Sequence, residues 1–247
     1  MQLTIENSVG TVVLDRPPVN AWDDQQLELM EDAIDVIKKA DLSVVVVRSK
    51  GPHFSAGADI KVMVAALESG EFQRLDAFVS RIQRVNFEWE QVPVPTLAVL
   101  QGAVVGGGLE FALACDLRIA TTSARLGLPE VRLGLLPGGG GTQRLTRLAG
   151  RGRALRMMLT GELIDGDVAE RWGIVDWCVP AEELDAKTEE VVAAIVDVAG
   201  PAQSAIKRSV ERYNSAIGYL TETAEQRVLH GTQSTRNRLN QFVSERK

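Results

Sequence analysis

The chain has 247 residues, of which 45% are hydrophobic and 24% are charged, a composition typical of a globular protein with a large core. Its formal net charge of -6 and the lack of a basic run argue against a protein that binds a nucleic-acid backbone. The N-terminal residues do not resemble a signal peptide, and no run of about 18 apolar residues could span a membrane. We therefore expect a soluble cytoplasmic protein that binds neither nucleic acid nor membrane.

Residue types that bind metals are sparse and poorly spaced. Cys115 and Cys178 have no short spacing between them, so they predict neither a disulfide framework nor half of a zinc site. His53 and His230 are the two histidines, and nothing near them completes a ligand set. The sequence therefore predicts no metal centre.

The first 91 residues alternate between strand and helix patterns. β-Favouring runs predict strands at residues 2–6 and 9–15, joined as a hairpin, and a doubly buried strand at 44–47. Asp23 or Asp24 can cap a helix that has Leu27, Met30, Ala33, Ile34 and Ile37 on its apolar face. A loop at 49–57, a short helix near 59–66 and a longer helix at 74–91 follow.

The remaining chain begins with the same alternation and ends in helices. Strands are predicted at residues 96–100, 117–120 and 174–179, and an apolar helix at 109–115. Alternating strands and helices followed by helices indicate an α/β domain with a helical extension. We expect a core at residues 1–190 and a C-terminal helical region at 191–247.

Two segments rich in small residues each follow a buried strand and lead into a helix. They occupy residues 53–61 and 101–110. Exposed backbone N–H groups at such helix starts can stabilise a developing oxyanion. The alternative is that the small residues serve only close packing, and each segment by itself leaves both interpretations open.

Two glutamates stand out near these segments. Glu110 lies near the start of an otherwise apolar helix, where a carboxylate is costly unless it is paired or faces a cavity. Glu130 follows Pro129 at another helix start, and by itself it reads as a surface acid that complements the helix dipole. The glycine run at 138–141 fits neither a phosphate loop nor a dinucleotide fingerprint, and we expect it to shape a cavity wall.

Taken in order, these segments resemble the enoyl-CoA hydratase/isomerase, or crotonase, superfamily over about residues 3–215. The matching segments are FSAGADIK at 54–61, GAVVGGGLE at 102–110 with ACD at 114–116, LPE at 128–130 with Gly134, PGGGGTQRL at 137–145, and GIVD at 173–176. The resemblance implies a crotonase-like spiral of ββα units with a C-terminal α-helical trimerisation region. It also implies a homotrimer, or a homohexamer made of two trimers.

The resemblance also assigns roles to residues. The oxyanion-hole N–H groups fall on Ala58 and Gly107, and the catalytic acids on Glu110 and Glu130. The adenine pocket of coenzyme A falls around Ala56, Ala58 and Ile60, while Arg16 and Val19 would lie along the pantetheine and phosphates.

The implied activity is hydration of 2-enoyl-CoA thioesters to 3-hydroxyacyl-CoA. Coenzyme A is then part of the substrate, and no separate cofactor or metal is needed. Having both acids favours a hydratase over an isomerase, which can work with one acid at the Glu130 position. A non-catalytic acyl-CoA-binding protein is a further alternative, although a pure binder has no need of two acids at a thioester.

The C-terminus departs from the family pattern. An acidic run usually precedes the Phe of the last helix, whereas residues 234–241 here read STRNRLNQ before Phe242. The basic end, Arg246 and Lys247, can contact the coenzyme A of a neighbouring subunit in relatives, or it can be a solvated terminus. Residues 63–85 contact the acyl chain in relatives, and their sequence does not indicate the chain length.

Overall fold

A computed structural model describes residues 1–198, 200–211, 216–230, 232–235 and 237–238. The strands are β1 (Gln2–Glu6), β2 (Val9–Leu14), β3 (Val44–Ser49), β4 (Thr96–Leu100), β5 (Ala103–Val105), β6 (Leu117–Thr121), β7 (Arg125–Gly127), β8 (Ile164–Asp165) and β9 (Trp177–Val179). The α-helices are α1 (Asp24–Lys39), α2 (Ile60–Glu68), α3 (Phe72–Glu90), α4 (Gly107–Ala112), α5 (Gly141–Ala149), α6 (Arg151–Thr160), α7 (Gly166–Arg171), α8 (Leu184–Val196), α9 (Gly200–Val210) and α10 (Ala216–His230). Short 3-10 helices cover Glu130–Leu133 and Ala181–Glu183.

The larger sheet has six strands in the order β1-β2-β3-β4-β6-β9. The β1–β2 pair is antiparallel, as the predicted hairpin requires, and the other pairs are parallel. The first four residues of β3 and all of β4 are buried, which explains their continuous apolar runs. Helices pack on both faces of this sheet, so its central strands form the middle layer of the core.

A second sheet of three strands, in the order β5-β7-β8, was not predicted. These strands are three, three and two residues long. They are too short for an alternating or apolar pattern to be recognised. Their importance is positional, because β5 leads directly into α4, which carries Glu110.

The predicted helix after Asp23 is confirmed in detail. The Asp23 side chain is the N-cap and accepts a hydrogen bond from the Gln26 N–H at 2.8 Å. The buried side chains of α1 are the five that form its predicted apolar face. This helix therefore follows from local capping and the 3.6-residue period.

Other boundaries differ from the predictions. Helix α3 begins at Phe72 rather than at residue 74, and α4 ends at Ala112, earlier than residue 115. The last strand covers Trp177–Val179, so the predicted strand at 174–179 is too long. Ile174 and Val175 are buried in the turn that follows Gly173, whose φ is +73°. Burial without strand pairing produced the same apolar pattern as a strand.

The C-terminal helices begin with α8, which lies across the second face of the larger sheet. Leu184 and Val191 of α8 pack with Val46, Leu97, Val99 and Ile119. Helix α8 spans residue 190, and the division into 1–190 and 191–247 stays a prediction. Phe242, Arg246 and Lys247 lie outside the described residues. Among the helices that are described, none is long and apolar enough to cross a membrane.

Candidate active site

The two small-residue segments meet at an isolated parallel bridge between Ser55 and Val104. The Ser55 N–H donates to the Ala103 carbonyl at 3.1 Å, and the Val105 N–H donates to the Ser55 carbonyl at 2.9 Å. This pairing brings the loop before α2 against the start of α4. The approach requires glycine, because a Cβ on Gly57 (φ +87°) would lie 2.6 Å from the Gly107 nitrogen.

Both backbone N–H groups that the resemblance selects are free to bind a ligand. The Trp22 N–H donates to the Gly57 carbonyl at 2.8 Å, and the Asp59 N–H donates to the Trp22 carbonyl at 2.7 Å. This parallel bridge skips the Ala58 N–H. Gly107 is the first residue of α4, where an N–H has no partner within the helix. Within the described part of the chain, neither N–H donates a hydrogen bond.

The three glycines at 106–108 have different roles, since one permits close packing and another leaves its N–H exposed to the cavity. A Cβ on Gly108 would lie 2.4 Å from the Ser55 carbonyl oxygen, so this glycine permits close packing of the two loops. Gly106 adopts φ +56°, a left-handed conformation that suits glycine. Gly107 then presents its N–H beside Ala58. The glycine run therefore permits close packing and also leaves the Gly107 N–H without a partner among the described residues.

A cavity of about 630 Å³ opens beside these N–H groups. Its floor includes Ala58, Gly107, Glu110 and Glu130. Most of the remaining wall is apolar and comes from two sides, namely Ile60, Met63, Leu75, Val79 and Ile82 on one, and Leu133, Leu135 and Leu136 on the other. Such a site suits an apolar chain with a polar reacting group at one end.

Glu110 is buried, and 3% of its surface is exposed. Its Oε1 accepts a hydrogen bond from the Gly141 N–H at 2.8 Å. Burial raises the pKa of Glu110, while the Gly141 and Gly139 N–H groups and the Arg144 charge oppose that rise. Glu110 therefore does not face solvent on the outer side of α4, and its carboxyl group lines the cavity from within the core.

Glu130 begins the 3-10 helix that follows Pro129. Burial raises the pKa of this half-buried carboxyl group to about 7, and the nearby charge of Glu110 adds to the rise. Among the described residues, its Oε2 atom is buried without a hydrogen-bond partner. A carboxyl group in this environment holds a proton near neutral pH far more readily than an exposed glutamate does.

The residues predicted to contact coenzyme A fall into two groups. Ala56, Ala58 and Ile60 line the cavity. Arg16 and Val19 do not line it in the described structure, but both contact the same loop. The Val19 carbonyl accepts from the Ala56 N–H at 2.9 Å, and Arg16 Nη2 donates to Asp59 Oδ2 at 2.7 Å. The Arg16 guanidinium also pairs with Asp23 at 2.9 Å.

Sequence reasoning missed the polar groups behind Glu110. The glycine run was correctly expected to shape the cavity wall, since Gly138 and Gly139 line it and α5 begins at Gly141. Asn86 and Arg144 were not selected, although both are buried and both donate to the Gly139 carbonyl at 3.0 Å. Asn86 occupies a core position of α3 between Ile82 and Trp89, and a polar residue there was the available signal.

The chain is similar to known proteins in sequence and in fold. The model of the enoyl-CoA hydratase/isomerase family matches residues 4–247. A probable enoyl-CoA hydratase of Mycobacterium bovis is 34% identical over 209 residues, which cover 84% of this chain and 79% of that protein. A probable mitochondrial enoyl-CoA hydratase of Arabidopsis thaliana is 36% identical over 250 residues, which cover 98% of this chain and 81% of that protein.

Solved structures agree with the sequence comparison. The crystal structure of an enoyl-CoA hydratase from Bacillus anthracis matches with a TM-score of 0.93 at 31% identity, covering 99% of this chain and 96% of that chain. The predicted crotonase-like α/β fold is thereby confirmed. The family match extends over nearly the whole chain, including the loops that carry Ala58, Gly107, Glu110 and Glu130. The chain belongs to the enoyl-CoA hydratase/isomerase family.

Proposed function

We propose that the protein adds water across the double bond of 2-enoyl-CoA thioesters to give 3-hydroxyacyl-CoA. The observation that carries the proposal is the composition of one cavity. Two unpartnered backbone N–H groups, Ala58 and Gly107, share that cavity with two buried or half-buried carboxyl groups, Glu110 and Glu130. Hydration of an activated double bond needs an oxyanion site and two proton-transfer groups, and this cavity supplies both.

The first role belongs to the two N–H groups. When a hydroxyl adds to C3 of the enoyl thioester, negative charge develops on the thioester oxygen. The Ala58 and Gly107 N–H groups would donate to that oxygen and stabilise the enolate. Because neither group has a partner among the described residues, no hydrogen bond seen there is lost when the substrate binds.

The carboxyl groups would divide the proton transfers. Glu110 receives hydrogen bonds that favour the carboxylate, so we assign it as the base that takes a proton from water. Glu130, with its pKa near 7, is the acid that gives its proton to C2 of the enolate. The proton on Glu110 then returns to Glu130, which restores the resting enzyme. The sum is one water added and no redox change, so the reaction requires no redox cofactor, and the two carboxyl groups perform both proton transfers in this proposal.

Coenzyme A would bind along the loop that carries Ala58. Ala56, Ala58 and Ile60 border the cavity and suit the adenine pocket. Arg16 and Val19 support this loop from outside the cavity, where Arg16 would also face the pantetheine or phosphates. Since Arg16 is paired with two aspartates, its charge is partly neutralised before a phosphate arrives.

The test is a spectrophotometric assay of the purified protein with 2-enoyl-CoA substrates of several chain lengths. We expect loss of the conjugated thioester absorbance as water adds. Glu130→Gln should lower kcat by about 10²–10⁴-fold, the usual contribution of a general acid, while acyl-CoA binding stays nearly intact. Glu28→Gln, at an exposed position on α1, is the matched control and should keep wild-type activity.

The alternatives give different results in the same assay. An isomerase would convert 3-enoyl-CoA to 2-enoyl-CoA, so absorbance would appear and no hydroxyacyl product would form. A non-catalytic binder would bind acyl-CoA and change neither substrate. Absence of hydration at every chain length would therefore refute the hydratase proposal, and full activity of Glu130→Gln would refute the role assigned to Glu130.

We also propose that the protein assembles as a homotrimer or as a homohexamer of two trimers. The family resemblance supports this, and so does the surface of the last helices. Helix α10 exposes apolar side chains at Ile217, Leu220 and Val228, which lie on one face of the helix by their spacing. Apolar stripes of this kind are typical of interfaces between protein chains.

A further inference from the structure

A small hydrogen-bond network connects Glu110 to two buried side chains that do not line the cavity, Asn86 and Arg144. The Gly139 carbonyl accepts from Asn86 Nδ2 and from Arg144 Nη1, each at 3.0 Å. Two residues further along, the Gly141 N–H donates to Glu110 Oε1 at 2.8 Å. Two side chains therefore bind the Gly139 carbonyl at one end of segment 139–141, while the Gly141 N–H at the other end donates to the Glu110 carboxylate.

The supporting side chains are themselves fixed. Asn86 is 2% exposed and Arg144 is 7% exposed. Arg144 is further anchored to Glu90 of α3, because its Nε and Nη2 both donate to Glu90 Oε2, at 3.2 and 2.8 Å. A buried arginine with this many partners has little freedom to reorient. In the described structure neither Asn86 nor Arg144 lines the cavity, and the hydrogen bonds that tie them to the site go to the glycine segment.

Glycine leaves the segment dependent on that support. A Cβ on Gly139 would lie 2.7 Å from Glu110 Oε2, and one on Gly141 would lie 2.9 Å from Glu110 Oε1. Gly140 adopts φ +104°. The close approach to the carboxylate thus excludes side chains that could pack and hold the turn. Because glycine has the largest conformational freedom of any residue, the turn needs hydrogen-bond donors from other elements, and Asn86 and Arg144 supply them.

We propose that Asn86 and Arg144 are positioning residues, which hold segment 139–141 so that its N–H groups fix the orientation and ionisation of the Glu110 carboxylate. The catalytic part of this inference rests on the proposed hydration. The positioning part concerns the resting protein and can be tested without turnover.

Charge adds to the geometric effect. Arg144 on α5 lowers the pKa of Glu110 against the effect of burial, and the charge of Glu110 in turn raises the pKa of Glu130. On α3, Asn86 is neutral and Glu90 partly neutralises Arg144. Without the Arg144 charge, only backbone N–H groups stabilise the Glu110 carboxylate, so the pKa of Glu110 should rise.

The decisive variant is Arg144→Gln, compared with Arg147→Gln one turn later on the same helix. Arg147 is largely exposed and approaches Glu90 only at 3.9 Å, so its removal controls for lost charge on α5. We expect Arg144→Gln to lower kcat about 100-fold through misplacement of the base, with KM little changed. The acid limb of the kcat–pH profile should move to higher pH, because Glu110 loses a nearby cation that lowers its pKa. Arg147→Gln should leave both unchanged.

A second readout separates the two proposals. The Glu110 carboxyl can be titrated in the resting protein by carbon-13 NMR, with Glu110→Gln used for assignment. A higher pKa of Glu110 in Arg144→Gln supports positioning even if the wild type proves unable to hydrate any 2-enoyl-CoA, a result that would refute only the proposed function. Wild-type kcat together with a wild-type titration in Arg144→Gln would overturn the positioning role.

Two more conservative variants keep the proposal testable if Arg144→Gln misfolds. If Arg144→Gln does not fold, Arg144→Lys retains the cation and should keep the acid limb near its wild-type position while kcat falls. Asn86→Ser removes one donor to the Gly139 carbonyl without changing charge, and kcat should again fall with KM preserved. Wild-type kcat in Asn86→Ser would contradict the proposal.

Discussion

Two carboxyl groups of the same chemical type are held in different environments at one cavity. Glu110 accepts a backbone hydrogen bond on Oε1, whereas Oε2 of Glu130 is buried and has no partner among the described residues. Hydrogen bonds to a carboxylate favour its charged form, and burial without partners favours its neutral form. Burial raises the pKa of both groups, and the Gly141 and Gly139 N–H groups oppose that rise at Glu110. This difference supports the proposed roles of base for Glu110 and acid for Glu130.

The ionisation of Glu130 has a predictable effect on stability. Its pKa of about 7 in the folded protein lies above the ordinary value of 4.5, so the folded state binds more protons between these values. The resulting stability is fully present below the unfolded pKa and is lost as pH rises through the folded pKa. Above about pH 7 the folded protein holds a poorly solvated carboxylate, which Glu130→Gln removes.

We expect Glu130→Gln to raise the melting temperature, relative to wild type, more at about pH 8 than at about pH 5. The gain should be about 2–4 °C, which corresponds to roughly 1 kcal/mol in a domain of this size after solvent screening of the half-buried group. Differential scanning calorimetry at the two pH values measures it, and Glu28→Gln controls for the loss of an exposed glutamate. Equal shifts at both pH values would show that the pKa of Glu130 is not raised.

At the scale of elements, the site is a meeting of two strand–loop–helix connections. The sequence allowed both connections to be predicted, because buried strands, small residues and helix starts are local patterns. Their contact could not be predicted, since it depends on β5, a strand of three residues whose pairing with β7 leaves no recognisable period. Burial of Glu110 likewise depends on segment 139–141, which arrives about thirty residues later in the chain.

Gly57 tests how closely the two connections must meet. A Cβ on Gly57 would lie 2.6 Å from the Gly107 nitrogen and 2.9 Å from the Val105 carbonyl oxygen, both backbone atoms. We expect Gly57→Ala to separate the Ala58 and Gly107 N–H groups and to lower kcat for hydration about 10²–10³-fold, as the loss of one oxyanion donor does.

Gly51→Ala is the matched control for this change. Gly51 has φ +76°, close to the +87° of Gly57, yet no atom of the described residues lies within 4 Å of the position of its Cβ. Both variants carry the strain of a left-handed residue, and only Gly57→Ala meets the opposing backbone. Steady-state kinetics on both variants distinguish the two effects, and equal losses of kcat would mean that backbone strain, rather than loop contact, limits activity.

For the whole molecule, the sequence predicted the α/β class and the course of most buried strands, and the fold confirms both. The sequence did not predict that Asn86 and Arg144 lie next to the site. Asn86 binds the Gly139 carbonyl and Arg144 binds Glu90, and both partners are far away in the chain. Local patterns reveal which residues are buried, but not which distant backbone atoms they meet. The exposed apolar side chains of α10 raise the same question, because the partner proposed for them is another copy of the chain.

Leu220 tests whether the apolar stripe of α10 is an interface between copies. Its side chain is 71% exposed and aligns with Ile217 and Val228 on one helix face. If that stripe is buried between copies, Leu220→Asp introduces an unpaired charge there and should lower the molar mass in solution from three or six chains towards one. Val36→Asp on α1, where the valine is 46% exposed, makes the same chemical change elsewhere and should leave the assembly intact. Light scattering during size-exclusion chromatography measures both, and a wild-type mass of one chain would refute the assembly itself. A trimer that survives Leu220→Asp would instead place the interface on another face, because an exposed aspartate on a free helix costs little.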